Sequence, residues 1–289
     1  MFGDLRAVDG LTLGVRNSEC FGLLGTNGAG KTTTFDILTG QSFATSGTAR
    51  IGKKDVTKQI CIGYCPQFDA LLLDLTGRES LEVFICFQIS DDDFGGQRRK
   101  ISVGLAMLAP TRIIILDEPT AGIDPKARRE IWKALSVIRD STETALLLTS
   151  HSMDECEALC SRIAILHRGR VVAIGTSQQL KSRFGNSYTI SMVAPGLESR
   201  DAVIDAVKEA FPKAVLKTPK GSLTLSLKWE VRIPKSESDR WSTLFRDVQT
   251  LAKSLGVTDY CVAQSSLEET FLRLSLDSET VDTNSSSSR

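Results

Sequence analysis

The sequence predicts an α/β protein built on a mostly parallel sheet, followed by a smaller unit of βαββαβ order. Three observations carry this. Cys20 to Thr34 reads as a short apolar strand, a glycine-rich turn and the opening of a helix. Ile113 to Leu116 is an uninterrupted apolar run that ends in Asp117 and Glu118, as a strand buried on both faces would. Strand and helix signals then alternate to about residue 183 and resume near Tyr188.

The first of these stretches carries the most chemistry. Gly25, Gly30, Lys31 and Thr32 fit the pattern G-x-x-x-x-G-K-[ST], with the strand before it and the helix after it that the pattern requires. Glycines let backbone N–H groups curl around phosphates, and the helix N-terminus near Lys31 adds partial positive charge. Lys31 can reach the outer phosphates, and the Thr32 hydroxyl can ligate Mg²⁺. Gly25, Asn27, Gly28, Gly30, Lys31, Thr32 and Thr33 are therefore the candidate nucleotide-phosphate set. The competing reading is a glycine-rich strand-to-helix turn with no ligand.

Length and charge bound the alternatives. At 289 residues and 41% hydrophobic content the chain can bury one large core, or a large and a small one. Lys+Arg and Asp+Glu both number 35, so the basic excess that drives nucleic-acid binding is missing. Seven scattered cysteines favour reduced thiols over a disulfide framework. The Cys61/Cys65 and Cys156/Cys160 pairs read as buried small apolar residues, because only His151 and His167 are available to complete a metal site. No apolar run approaches a membrane span and no signal peptide is evident, so the expected location is the cytosolic side.

In chain order, Leu11, Leu13 and Val15 alternate as a strand would, and Phe2 is an aromatic that could stack on a purine. A helix over Lys31–Thr39 stops at Gly40. Ile60–Tyr64 reads as a strand, with Gln67 in the loop beyond it able to offer its amide to Mg²⁺ or to an attacking water. A weak helical pattern covers 76–90. Phe94-Gly95-Gly96-Gln97 then opens a helix through Met107, where free N–H groups could receive an anion. At the end of the apolar run, Asp117 would hold Mg²⁺ and Glu118 would orient or deprotonate water. Asp124-Pro125 begins a helix to Arg139, and Ala145–Thr149 is a strand leading to His151, whose imidazole could reach a terminal phosphate. Ser152-x-x-Glu155 has the form of a capping box, and Ile163–Leu166 with Val171–Ile174 that of a hairpin.

The second unit is predicted as strands Tyr188–Val193, Ala214–Lys217, Ser222–Trp229 and Val257–Ala263, helices Ser199–Phe211 and Arg240–Leu255, and a last helix Leu267–Leu274. That order suggests a ferredoxin-like sandwich. RNA-recognition domains share it, but the Leu223–Leu227 strand lacks their exposed aromatics. The expected domains are 1–183 and 184–276, with 277–289 a disordered tail.

These motifs resemble the nucleotide-binding domain of ATP-binding cassette (ABC) transporters, and the A subfamily of lipid exporters in particular. Gly25 to Thr32 is similar to the family's Walker A, Gln67 to its Q-loop, Ile113 to Glu118 to its Walker B, Ala121 to Asp124 to its D-loop and His151 to its switch histidine. Phe2 falls where the family places its adenine-stacking aromatic, and the unit after residue 187 resembles the A-subfamily regulatory domain. The resemblance implies ATP and Mg²⁺ as cofactors. It implies a second nucleotide-binding domain and transmembrane domains as partners, a lipid as cargo and no nucleic acid. It also implies a membrane-associated position on the cytosolic face, with the isolated chain soluble and cytosolic.

Two departures are visible. Phe94 stands where the family's signature serine would donate to the γ-phosphate, and the stretch between Gln67 and Gly95 is roughly half the family's length. A lost charge-assisted bond of this kind is worth about 1.5–3 kcal/mol. The chain therefore reads as a fragment, splice form or imperfect gene model of a longer transporter. Its own phosphate side (Gly25 to Thr33, Asp117, Glu118, His151) is intact, while the altered signature (Phe94 with Gly95, Gly96 and Gln97) would chiefly affect a partner's site. An ATPase motor is the main expectation and a non-hydrolysing soluble ATP-binding cassette the alternative. A ribosome- or DNA-acting cassette would need paired cassettes or basic inserts, and a GTPase an Asn-Lys-x-Asp motif; neither set is present.

Overall fold

The computed structural model describes residues 6–58, 60–68, 97–108, 111–185, 187–195, 200–217, 226–234, 241–257 and 259–275. They fall into two compact units that divide between Gln178 and Gln179.

In the first unit the elements run β1 (Cys20–Gly25), α1 (Lys31–Thr39), β2 (Arg50–Ile51), β3 (Lys54–Asp55), β4 (Gly63–Cys65), α2 (Gln97–Leu108), β5 (Ile113–Asp117), α3 (Pro125–Ser141), β6 (Ala145–Ser150), α4 (Met153–Leu159), β7 (Arg162–His167) and β8 (Arg170–Gly175). Six strands form one sheet in the order β4-β5-β6-β1-β7-β8. The first five are parallel, and β8 returns antiparallel from β7 as a hairpin. Every residue of β1, β5 and β6 is buried, which explains why these strands read as continuous apolar runs instead of alternating ones. Phe21, Leu23, Phe35, Ile115 and Leu147 are all nearly inaccessible and share one core. Each such side chain contributes about 1.5–3 kcal/mol through burial.

Local signals set the helix ends. Gly40 adopts φ +78° at the end of α1, a left-handed stop that costs glycine nothing. Asp124 caps α3, its carboxylate accepting from the N–H groups of Lys126 and Ala127, with Pro125 in the first turn.

Three sequence expectations shift. Leu11, Leu13 and Val15 are half-buried against the core around β1, but among the described residues they pair with no strand. The Ile60–Tyr64 strand appears as the shorter β4, pairing with β5 only from Gly63 onward. The Cys61 thiol is exposed, in contrast to Cys65, Cys156 and Cys20.

The second unit follows α5 (Ser177–Phe184), which spans the division. It comprises β9 (Ser187–Pro195), α6 (Arg200–Ala210), β10 (Val215–Lys217), β11 (Ser226–Pro234), α7 (Trp241–Ser254), β12 (Asp259–Gln264) and a helix over 267–275. Its sheet runs β10-β11-β9-β12 with every neighbouring pair antiparallel. Tyr188, Ile190 and Met192 point from one face of β9 onto Val207 of α6 and Leu244, Val248 and Leu251 of α7. The predicted Ser222–Trp229 strand is displaced to β11, and residues 218–225 lie outside the described set.

Candidate nucleotide-binding site

The loop between β1 and α1 is shaped by its glycines. Gly28 and Gly30 take φ +78° and +97°, and the Thr26 carbonyl closes the turn by accepting from Ala29 N–H at 3.1 Å. A Cβ built on Gly30 would lie 2.2 Å from the Ala7 carbonyl oxygen. Gly169 N–H donates to the Ala29 carbonyl, so the β7–β8 turn braces the loop from behind. No acidic side chain lies in the first turn of α1 and no side chain caps it, which leaves its N–H groups for an anion. Gly30→Ala is expected to cost about 1–3 kcal/mol from backbone strain alone. A clearly lowered thermal midpoint together with weakened binding of a fluorescent ATP analogue is the check.

Lys31 is 6% exposed, and its ammonium donates to the carbonyls of Gly25 at 2.8 Å and Thr26 at 3.1 Å. Burial pushes its pKa below the usual lysine value, while the Glu118 and Asp117 carboxylates act in the opposite direction. That coupling means that the ammonium and both acids share one neighbourhood. Sheet register explains it: Asp117 is level with Thr149 and Leu24 with Ser150, so β5 and β1 end at the same edge, one strand apart. Two strand spacings amount to roughly 10 Å, about the reach of a polyphosphate with its cation.

Thr149, between them, fixes both acids with one hydroxyl. It donates to Asp117 Oδ1 and accepts from Glu118 N–H at 3.0 Å; the Thr149 carbonyl takes the same N–H at 3.2 Å. Glu118 itself is held at φ +50°, an unusual backbone for a side chain of its size. Its Oε2 stands 3.3 Å from His151 Nδ1, with the imidazole mostly exposed and the carboxylate mostly covered. A mostly covered carboxylate with a solvent-exposed imidazole 3.3 Å away is chemically suited to move a proton.

The site suits a divalent cation. Asp117 Oδ2 is buried and has no hydrogen-bond partner among the described residues. A hydroxyl, a carboxylate and an amide oxygen are hard donors of the type Mg²⁺ prefers. Among the described residues no three His, Cys, Asp or Glu side chains form a self-sufficient metal site. Mg²⁺ is commonly held by one or two protein oxygens together with phosphates and waters. Of the candidates, Asp117 is buried while Thr32 and Gln67 are exposed; these three would supply the protein oxygens.

Other candidates are placed less centrally. Gln67 and Asn27 are exposed, Thr33 is half-buried, and Asp124 faces solvent with its carboxylate spent on capping α3. Asp124 therefore does not join the cluster around Lys31. Gln97 is the first residue of α2, and Phe2, Phe94, Gly95 and Gly96 lie outside the described residues.

Two buried charged groups escaped sequence reasoning. Glu155, 1% exposed, was expected to complete a capping box with Ser152; only half forms, with Ser152 Oγ accepting from Glu155 N–H at 3.4 Å. Ser152 N–H instead goes to Ser150 Oγ, and the Glu155 carboxylate accepts from Thr120 Oγ1 (2.8 Å), Trp132 Nε1 (3.2 Å) and Ser150 Oγ (2.6 Å). Three buried donors outcompete one helix-end amide. Glu155→Gln should lower unfolding free energy by about 1–3 kcal/mol: the amide oxygen can still accept from Thr120 and Trp132, but the amide NH₂ then faces Ser150 Oγ, which already accepts from Ser152 N–H, and the charge-assisted bonds are lost. Urea unfolding measures this, and an unchanged midpoint would refute it. Arg99 is the second such group, its guanidinium directed at backbone carbonyls beside Gln67 and Glu118.

Comparison with known proteins agrees with this geometry. The ABC transporter family model matches residues 8–121. The chain is 57% identical over 309 aligned positions to ABC transporter ced-7 of Caenorhabditis elegans, covering 98% of the chain and 18% of that protein. It is 37% identical over 302 positions to the phospholipid-transporting ATPase ABCA3 of Homo sapiens, covering 93% of the chain and 17% of that protein. The chain thus spans less than a fifth of the length of either relative. Among solved structures, a dimeric ATP-binding cassette in a post-hydrolysis state with ADP and phosphate superposes with a TM-score of 0.54 at 19% identity, covering 60% of this chain and 91% of that one. That likeness establishes the cassette fold of the first unit. With the phosphate loop and the paired acids in place, the chain carries an ABC transporter domain over residues 8–121, and relatives of the ATP-binding cassette A sub-family align along 93% of it.

Proposed function

We propose that this chain is the ATP-binding and hydrolysing module of an A-subfamily transporter that moves lipid across or out of a membrane. The observation that carries the reading is the convergence of Lys31, Asp117 and Glu118 on one sheet edge, with the two acids locked by Thr149. Lys31 and the N–H groups of residues 27 to 33 would take the phosphates, while Thr32, Asp117 and Gln67 would hold Mg²⁺. When bound, the cation neutralises charge on the phosphates. Glu118 would accept the proton of the attacking water, and His151 would hold that carboxylate and face the terminal phosphate. The lipid cargo is supported by the phospholipid-transporting relative. A second cassette and transmembrane domains would be the partners, and the cytosolic face of a membrane the location. No helix among the described residues is long and apolar enough to cross a membrane.

The domain reading is a cassette over 1–183, a regulatory unit over 184–276 and a tail over 277–289. The strand order β10-β11-β9-β12 supports a ferredoxin-like assignment, because that fold places its first and third strands centrally.

A second reading is favoured by one feature, the ring at Phe94 in place of a hydroxyl donor. On that reading the chain binds ATP without turnover and sequesters a partner. Equilibrium titration with a fluorescent ATP analogue, followed by steady-state ATPase assay, separates the two. Binding with turnover supports the motor, binding without turnover supports the second reading, and absence of binding refutes both.

A further inference from the structure

Arg99 lies in the first turn of α2. Its side chain is 6% exposed, and it donates to five main-chain carbonyls from two distant segments. Nη1 donates to Pro66 at 2.5 Å and to Gln67 at 3.2 Å. Nη2 donates to Asp117 and, at 2.9 Å, to Glu118, while Nε donates to Pro119 at 3.3 Å.

The position of these acceptors matters. The ladder between β4 and β5 ends at the pair Cys65 and Leu116. The next residues on each strand, Pro66 and Asp117, are the first whose carbonyls Arg99 takes up. The guanidinium therefore continues the link between the strands where strand pairing stops. Beyond that point lie the residues proposed to face the cation and the water.

Glu118 adds a second argument. Its φ of +50° persists only if both of its peptide groups are held. Thr149 holds the N–H, and Arg99 holds the carbonyl together with the Ala121 N–H, which donates to the same oxygen at 3.1 Å. A planar fork with five N–H groups can span carbonyls on two strands at once, which the compact ammonium of lysine cannot do.

We infer that Arg99 is a positioning residue: its guanidinium clamps the Gln67 loop to the Asp117–Pro119 turn, keeping the metal-facing groups in place without touching the phosphates. This rests on the ATP-binding reading above. It predicts a split between cation-dependent and cation-independent binding.

The test uses the full chain as wild type, Arg99→Lys and Arg99→Met, with a fluorescent ATP analogue titrated in Mg²⁺ and in EDTA. In EDTA the three should bind within about twofold of one another, since the phosphate loop is untouched. In Mg²⁺ the wild type should tighten, and both variants should lose about tenfold of that gain. Amide hydrogen exchange read by mass spectrometry provides a readout that needs no nucleotide. Exchange should accelerate in residues 64–68 and 113–120 while β1 and β7 keep their protection. Equal Mg²⁺ dependence in all three proteins, or faster exchange across the whole sheet, would overturn the inference. If the wild type binds no analogue, the functional reading falls and exchange alone decides: local acceleration sustains the clamp and unchanged protection refutes it. Should Arg99→Met not fold, Arg99→Lys carries the same comparison.

Discussion

Replacing Lys31 with alanine is expected to weaken binding of a fluorescent ATP analogue by about 100-fold or more, with little change in the unfolding midpoint. Bonds from a buried ammonium to phosphate oxygens are worth about 1.5–3 kcal/mol each, and two are lost together. The stability side follows from the structure. Among the described residues Lys31 donates to the carbonyls of Gly25 and Thr26, in a spot where burial already disfavours its charge. Removing it therefore deprives the fold of little. An anionic ligand, by contrast, would favour the protonated ammonium, so Lys31 should gain most of its worth on binding. Unchanged affinity in Lys31→Ala would remove the basis for assigning the loop to phosphate.

Glu118→Gln should separate binding from turnover. The amide has the carboxylate's shape and leaves the N–H bond to Thr149 and the carbonyl bond from Arg99 in place. Analogue affinity should stay within about threefold or tighten, because one negative charge near the phosphates is gone. Turnover should fall about 10²- to 10⁴-fold, the usual contribution of a positioned base. Steady-state phosphate release measured beside the binding titration decides. Turnover kept at the wild-type rate would exclude Glu118 as the base, and the proximity of His151 at 3.3 Å would then have to be explained otherwise.

Much of this site could be read from the chain because its determinants are local. The glycines, Lys31 and Thr32 stand within one turn of one another, and the β5 run delivers Asp117 and Glu118 by simple continuation. What stayed hidden acts across space. Thr149 looks like the polar end of an apolar strand; only its register opposite Asp117 gives its hydroxyl two carboxylate-bearing neighbours to bind. Glu155 fits a local pattern that the structure half discards, since donors from Thr120, Trp132 and Ser150 converge on it from three elements. Arg99 sits among other basic residues, and nothing in its neighbourhood of sequence distinguishes it from a solvated charge. The alternation at Leu11, Leu13 and Val15 is the converse case: the pattern is real and its apolar face is packed, but among the described residues it pairs with no strand.

The neighbours of β1 bear on how the protein is made. Among the described strands, β1 pairs with residues 146–150 on one side and 162–166 on the other, all synthesised more than a hundred residues later. Closing so long a span is entropically slow, and the phosphate grip has no rigid floor until both flanking strands have docked. A nascent chain halted on the ribosome before the codon for Leu166 should be unable to retain ATP, so nucleotide can act as a folding ligand only for chains in which this stretch is complete and released from the exit tunnel.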